Sequence, residues 1–274
     1  MDKLKGVFLA KKKNGDVYYR SSITYRNKHI SLGSYVNHLD AHLAYLDAKT
    51  ILFDGKYNYL DYRNGKMLKY EKWIILCNFR DNGIYIKNPI FLHKTYFSYF
   101  LYESSEYKFD VDDLFYYSNL KIFKKDGYLF VNDYGMQLNI LNRYGIKNFA
   151  VEGKDYCFID GDSTNFSRHN IQIINGYYGV EQKTKKHHTT YIAKINIIGK
   201  HVIGEYASEV DAAIAYNKTA DFIKDHEISS KQYQYNYIMD LSVSQYKTLY
   251  DKIRIPTKIQ TLINQVNMPS NITH

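Results

Sequence analysis

The chain has 274 residues, room for one large domain or two to three small ones, each with its own core. Hydrophobic residues make up 45% and aromatic residues 16%, with only three Pro, which excludes a disordered, collagen-like or linker-dominated chain. The 37 Lys and Arg against 28 Asp and Glu give a net charge of +9, a modest pull towards polyanions. Two isolated cysteines, Cys77 and Cys157, exclude a disulfide framework and a four-thiolate zinc site. No apolar run approaches the roughly eighteen residues of a membrane span. The apolar run after Lys5 is too short for a secretion signal. These points predict a cytoplasmic protein with no membrane partner.

In chain order, a polar turn at 12–16, with Asn14-Gly15-Asp16, predicts a hairpin, and a second hairpin closes at 25–28. Residues 38–53 carry Ala41, Ala44, Tyr45, Ala48, Ile51 and Leu52 at helical spacing. An apolar stretch around Trp73, Ile74, Ile75 and Leu76 follows. The unbroken aromatic run 96–102 predicts a buried strand rather than a base-stacking surface. Asp110, Asp112 and Asp113 fit the first turn of a helix better than a metal site. Residues 128–131 are a predicted strand and 136–144 a short predicted helix ended by Gly145. Polar turns return at 183–188 and 198–200, before a second helix carrying Ala212, Ala215, Tyr216, Thr219, Phe222 and Ile223, with Ser208 at its N-cap and Asp211 three residues on. The adjacent pair His187-His188 falls in the first of these turns, where phosphate contact or solvent exposure is expected rather than metal binding. A last helix is predicted over 242–253 through Val243, Tyr246, Leu249, Tyr250 and Ile253, stopped before Pro256.

The two ends of the chain repeat one another. Gly6-Val7, Tyr19, Ile23, Gly33, Tyr35, Ala41, Ala44 and Tyr45 match Gly179-Val180, Tyr191, Ile195, Gly204, Tyr206, Ala212, Ala215 and Tyr216. The spacing from Gly33 to Tyr45 equals that from Gly204 to Tyr216. Each copy therefore predicts three strands and a helix. Small Ala residues bring the helix close to one sheet face and leave the other face for a partner.

The second copy, with Tyr178-Gly179-Val180, Gly199-Lys200, Ile203-Gly204-Glu205-Tyr206, Ala212-Ala213 and Ala215-Tyr216-Asn217, resembles the Apetala-2/ERF DNA-binding domain. The first copy resembles it best from Lys28 to Tyr35, and together the resemblance spans about 100 residues. It implies a three-stranded sheet lying in the DNA major groove, with the helix packed behind. Carried over residue by residue, the groove-facing set is Lys5, Arg20, Ser22, Thr24, His29 and Ser31 in the first copy. In the second it is Lys183, Lys185, Lys194, Asn196 and Lys200. Phe8 and Glu181 stand where the family has Arg, and Ser31 and Val202 where it has Trp, so the family's sequence preference does not transfer. Arg20 suits bidentate reading of guanine and Asn196 of adenine, whereas lysines suit phosphates.

Between the copies, Asp160-Gly161-Asp162, Asn165 and Asn170-Ile171 resemble the ββα frame of HNH homing endonucleases. That family places His immediately before the Ile-Asp-Gly string, as general base and metal ligand. Here Cys157 and Phe158 stand there. Phe158 can do neither task, a lone Cys suits Mg²⁺ poorly, residues 172–175 offer no His, and His169 is out of register. The resemblance thus implies a frame without catalytic residues, metal or cofactor.

The sequence predicts an α+β protein: two small sheet-plus-helix modules at 1–57 and 176–228, flanking a mixed α+β middle at 58–175 with a ββα-like hairpin in its degenerate HNH-like part, 130–175, and a helical tail at 229–274. Its expected function is non-catalytic binding of double-stranded DNA in transcription regulation or nucleoid organisation, with homodimerisation through the C-terminal helix as a second partnership. The rival readings are an active HNH-type endonuclease with a non-standard metal set, and a module binding RNA or protein.

Overall fold

The computed structural model describes residues 4–186 and 188–262; His187 of the predicted turn lies outside them. The chain is α+β and forms two compact units, Met1–Ile140 with Phe158–Ile171, and Leu141–Cys157 with Gln172–His274. This division is coarser than the four predicted segments, because most of the middle is compact with the N-terminal module while 141–157 and the tail belong with the C-terminal one. Among the described residues, no helix is long and apolar enough to cross a membrane.

The first unit opens with the sheet β1 (Val7–Lys11), β2 (Val17–Tyr25) and β3 (Lys28–Tyr35), antiparallel in sequence order. The turn before β2 closes with Lys12 N–H donating to the Asp16 carbonyl at 2.8 Å. Arg26 and Asn27 both take positive φ, 45° and 60°, the twist that a two-residue hairpin needs. Helix α1 (His38–Lys49) starts where the Asn37 side chain accepts from Asp40 N–H at 2.8 Å. Ala41, Ala44 and Ala48 are wholly buried, so the helix axis sits close to the sheet. A wide helical turn, Thr50–Asp54, continues the predicted helix and ends at Gly55.

Helix α2 (Tyr70–Asn82) is buried on every side from Trp73 to Phe79, and Trp73 Nε1–H donates to the Asn58 carbonyl at 3.0 Å. It lies against the sheet β4 (Ile90–Leu92), β5 (Tyr96–Tyr102) and β6 (Ser105–Asp110). The aromatic run forms buried β5: Phe97 and Tyr99 have no exposed surface, and Phe97 stacks on Phe109. The acidic stretch is a 3₁₀ turn, Val111–Asp113, leading into α3 (Leu114–Asn119). Then β7 (Ile122–Lys125), β8 (Tyr128–Asp133) and β9 (Met136–Asn139) form a meander.

That last strand corrects the predicted helix over 136–144. Tyr134 and Gly135 adopt φ of 46° and 81°, folding residues 136–139 back onto β8, so only Ile140–Tyr144 remains helical, as a 3₁₀ turn. A short apolar run carries no period of its own, and the hairpin turn decided the outcome.

The stretch expected to carry the ββα hairpin consists of β10 (Tyr156–Phe158), β11 (Asn165–Phe166), a 3₁₀ turn Arg168–Asn170, and β12 (Ile171–Ile173). Strand β10 pairs with β12, while β11 joins β6 in parallel through Phe166 beside Phe109. No α-helix lies between β12 and β13, and β10 and β11 do not pair with each other, so the expected hairpin is replaced by the β10–β12 pair and the loop between them.

In the second unit, β13 (Val180–Lys185), β14 (His188–Asn196), β15 (Lys200–Tyr206) and α4 (Glu209–Asp225) repeat the first module, with Ser208 capping α4 through Asp211 N–H. Helices α5 (Val243–Lys252) and α6 (Thr257–Gln260) complete it. Ser242 and Gln245 make a reciprocal capping box at the start of α5. Tyr246, Leu249, Tyr250 and Ile253 pack onto the α4 core, and the Tyr250 hydroxyl donates to Asp221 at 2.7 Å.

Candidate nucleic-acid interface

The two sheets match in register as well as in sequence. Tyr19 pairs with Tyr35 as Tyr191 does with Tyr206, and Ser21 with Gly33 as Ala193 does with Gly204. Both sheets then break register at the same place, between Ser21 and Ser22 and between Ala193 and Lys194. Ser22 N–H donates to the Gly6 carbonyl at 3.0 Å, and Lys194 N–H to the Gly179 carbonyl at 2.7 Å. A Cβ on Gly6 would meet the Tyr45 ring at 2.1 Å, and one on Gly179 the Tyr216 ring at 2.2 Å. Each glycine is therefore required where β1 or β13 passes over the helix tyrosine. This explains why those landmarks survive in both copies.

Strand alternation then decides which side chains leave the helix-covered face. In the first sheet Ile23, Ile30 and Leu32 point to α1 and are buried, while Phe8, Tyr18, Arg20, Ser22, Thr24, His29, Ser31 and Ser34 occupy the opposite face. Arg20 donates to the Tyr18 hydroxyl from Nε and Nη2 at 3.2 and 2.8 Å, and Thr24 Oγ1 lies 3.5 Å from His29 Nδ1 across the strands. Five of the six predicted residues thus share one face. Ser22 offers little surface there, at 8% exposed. Lys5 precedes β1, and its carbonyl lies 3.0 Å from His42 of α1, so it is not part of the pleat. Arg20 is the one permanent cation among these outward strand residues; the rest of the face is hydroxyls, an imidazole and the half-exposed Phe8.

The second face is different. Lys183, Lys185, Lys194, Asn196 and Lys200 all alternate outward, with Glu181, Thr190, Ile192, Val202 and Glu205. Two of the four lysines are neutralised in place. Lys194 Nζ lies 2.6 Å from Glu181 Oε2, and Lys183 Nζ lies 3.8 Å from Glu205 Oε2. Thr190 Oγ1–H also donates to Glu205 at 2.6 Å. The Lys194 hydrogen bond, reinforced by Lys154 and Lys200, holds the Glu181 carboxyl below its ordinary range. Lys185 and Lys200 make no ion pair among the described residues.

Sequence reasoning missed what borders this face. Segment 147–154 runs beside the start of β13 and the end of β14, making a cleft of about 320 Å³ lined by Phe149, Lys154, Glu181, Lys194, Asn196 and Lys200 among others. The segment is anchored by Lys147, whose Nζ lies 3.0 Å from Asp155 and donates to the Tyr177 carbonyl at 2.9 Å. Asn175 Oδ1 accepts from Gln182 N–H at 2.6 Å, fastening the approach to β13. Nothing in the sequence marks the Lys147–Asp155 contact before the fold is known.

The residues of the 160–170 loop hold one another. Asp160 accepts from Asp162 N–H and Asn165 Nδ2, Asp162 from Thr164 N–H and Oγ1, and Asn170 Oδ1 from Asp160 N–H, all between 2.7 and 2.9 Å. The Asp162 backbone N–H, followed by Asn165, lowers the Asp160 carboxyl's pKa. Phe158 is buried with its ring edge-on to Phe166 at 5.5 Å, Cys157 is half-buried with its Sγ 3.8 Å from Gln172, and His169 is exposed. Among the described residues, no three His, Cys, Asp or Glu come together as a metal site would require. Compared with protein-family models, curated proteins and solved structures, the chain matches none.

Proposed function

We propose that the chain binds double-stranded DNA through the open faces of its two three-stranded sheets, without cutting it. The observation that carries this reading is the shared register: two sheets, each with a helix on one face, turn the same strand positions outward. A strand ribbon of this width fits the major groove, and alternate side chains reach base edges. The second face supplies Lys183, Lys185, Lys194 and Lys200 for phosphates and Asn196 for a base edge. The first supplies Arg20, Thr24, His29 and Ser31, a set better suited to reading than to holding. Two heads on one chain raise each other's effective concentration at a bipartite site. The cellular role that follows is transcription regulation or DNA organisation at the nucleoid. Homodimerisation through α5 is outside the proposal, because Tyr246, Leu249, Tyr250 and Ile253 at α5 already pack onto the α4 core.

Binding to random-sequence duplexes over a salt series tests it. Each phosphate contact contributes about −0.9 to the slope of log K against log salt, so a slope near zero refutes the reading. The same selection, incubated with Mg²⁺ or Mn²⁺ and supercoiled plasmid, tests the absence of cleavage; nicking would replace the binding protein with a nuclease.

A further inference from the structure

We propose that Phe149 is a base-stacking side chain, inserted as a wedge at a base step of the duplex held by the second sheet; this rests on the DNA-binding reading above. Three observations converge on it. Phe149 is 87% exposed, yet it sits at φ +61°, a conformation that a bulky residue adopts only when its surroundings impose it. The surroundings do impose it. Asn148 N–H donates to the Tyr178 hydroxyl at 3.2 Å, and its Oδ1 accepts from Asn142 Nδ2 at 3.0 Å. On the other side Ala150 is buried, and Val151 N–H donates to Asp155 Oδ2 at 2.9 Å. The turn is braced on both sides and presents the ring outward.

The third observation is what the ring borders. Phe149 lines the same cleft as Lys154, Lys194, Asn196 and Lys200. A strained, exposed aromatic beside the ammonium groups of Lys154, Lys200 and the Glu181-bound Lys194 matches the two surfaces of a nucleic acid: phosphates for the lysines and a base π-face for the ring. An acidic protein partner would use the lysines but leaves the strained phenyl without a counterpart. Pyrimidine–purine steps, the easiest to unstack, are the expected points of entry.

The test uses the full chain and AT-rich duplexes carrying 2-aminopurine at TA steps. Wild-type protein is expected to raise 2-aminopurine fluorescence on binding. Phe149→Ala should bind about tenfold more weakly, abolish the rise and leave the salt slope unchanged, since no phosphate contact is lost. Phe149→Trp should retain both affinity and signal. An Ala variant that melts like the wild type and keeps both affinity and fluorescence overturns the wedge while the DNA-binding reading stands. Absence of duplex binding by the wild-type chain overturns both.

Discussion

Glu181 and Lys194 face each other diagonally across β13 and β14, 2.6 Å apart, so the most central lysine of the second sheet face is bound to a carboxylate of the same face. A phosphate reaching Lys194 must displace that carboxylate. Under the proposed DNA-binding function the pair is a built-in competitor for phosphate, and Lys183 with Glu205 is a weaker version of it.

Glu181→Gln removes the competitor and keeps the side-chain shape. Duplex affinity is expected to rise several-fold at low salt, and the salt slope to steepen by about one phosphate contact. Glu205→Gln should act in the same direction with a smaller effect, because its ion pair is longer and more exposed. Fluorescence anisotropy across a salt series reads both. The pH dependence has a definite sign. The depressed Glu181 pKa means that the pair is intact at and above the ordinary carboxylate range and is lost only as pH falls through the lowered value. Wild-type affinity should then approach that of Glu181→Gln at acid pH, where the carboxylate is discharged.

The cysteines separate cleanly. Cys77 is fully buried in α2, and burial pushes its thiol up to about 12, whereas Cys157 is half-buried. Native protein is expected to yield one thiol to Ellman's reagent near neutral pH, the second reacting only on unfolding. Cys157→Ser should abolish the fast phase; if Cys77→Ser removes it instead, the burial of α2 is wrong.

Helices α1 and α4 occupy equivalent places in the two modules but meet different surroundings. Leu39, Leu43 and Leu46 of α1 are exposed at 57, 48 and 41%, while their counterparts Val210, Ile214 and Asn217 lie under the chain that follows α4. Asn217 and Asn236 exchange hydrogen bonds at 2.8 Å, and Asn236 also bonds both the N–H and the carbonyl of Tyr178. Leu43→Lys should therefore change stability by less than about 0.5 kcal/mol, while Ile214→Lys should cost several, on the order of 3 kcal/mol or more. Urea denaturation of the two variants makes the comparison.

The strand–strand–strand–helix repeat was legible because its landmarks are sterically forced: the Gly6 and Gly179 approaches to Tyr45 and Tyr216 leave no room for substitution. The outward set was legible for a related reason, since a period of two fixes a face once one buried partner is known. What was not legible depends on contacts between distant residues. The Lys194–Glu181 pair joins diagonal neighbours on adjacent strands, and the Lys183–Glu205 pair reaches from β13 over β14 to β15. The membership of 141–157 in the second unit is set by Lys147, Asp155 and the Tyr177 carbonyl, none of which has a local signature. Residues 136–139 went to a strand because Tyr134-Gly135 turned them onto β8, a choice that their own periodicity did not contain.

The repeat also provides its own control for one buried atom. Ser21 and Ala193 hold the same register position, each with no exposed surface, but the Ser21 hydroxyl has no hydrogen-bond partner among the described residues. A buried unsatisfied hydroxyl costs about 1–3 kcal/mol, while an alanine there costs nothing of the kind. Ser21→Ala is expected to leave stability unchanged or raise it by up to about 1 kcal/mol, and Ala193→Ser to lower it by about 1–3 kcal/mol. Denaturant midpoints at constant slope measure both. A large loss in Ser21→Ala would mean that the hydroxyl is bonded, to an ordered water or to the backbone beside the Ser21/Ser22 bulge. The bulge that turns Ser22 and its strand neighbours towards the open face would then be held by Ser21 itself, rather than by the Gly6 carbonyl alone.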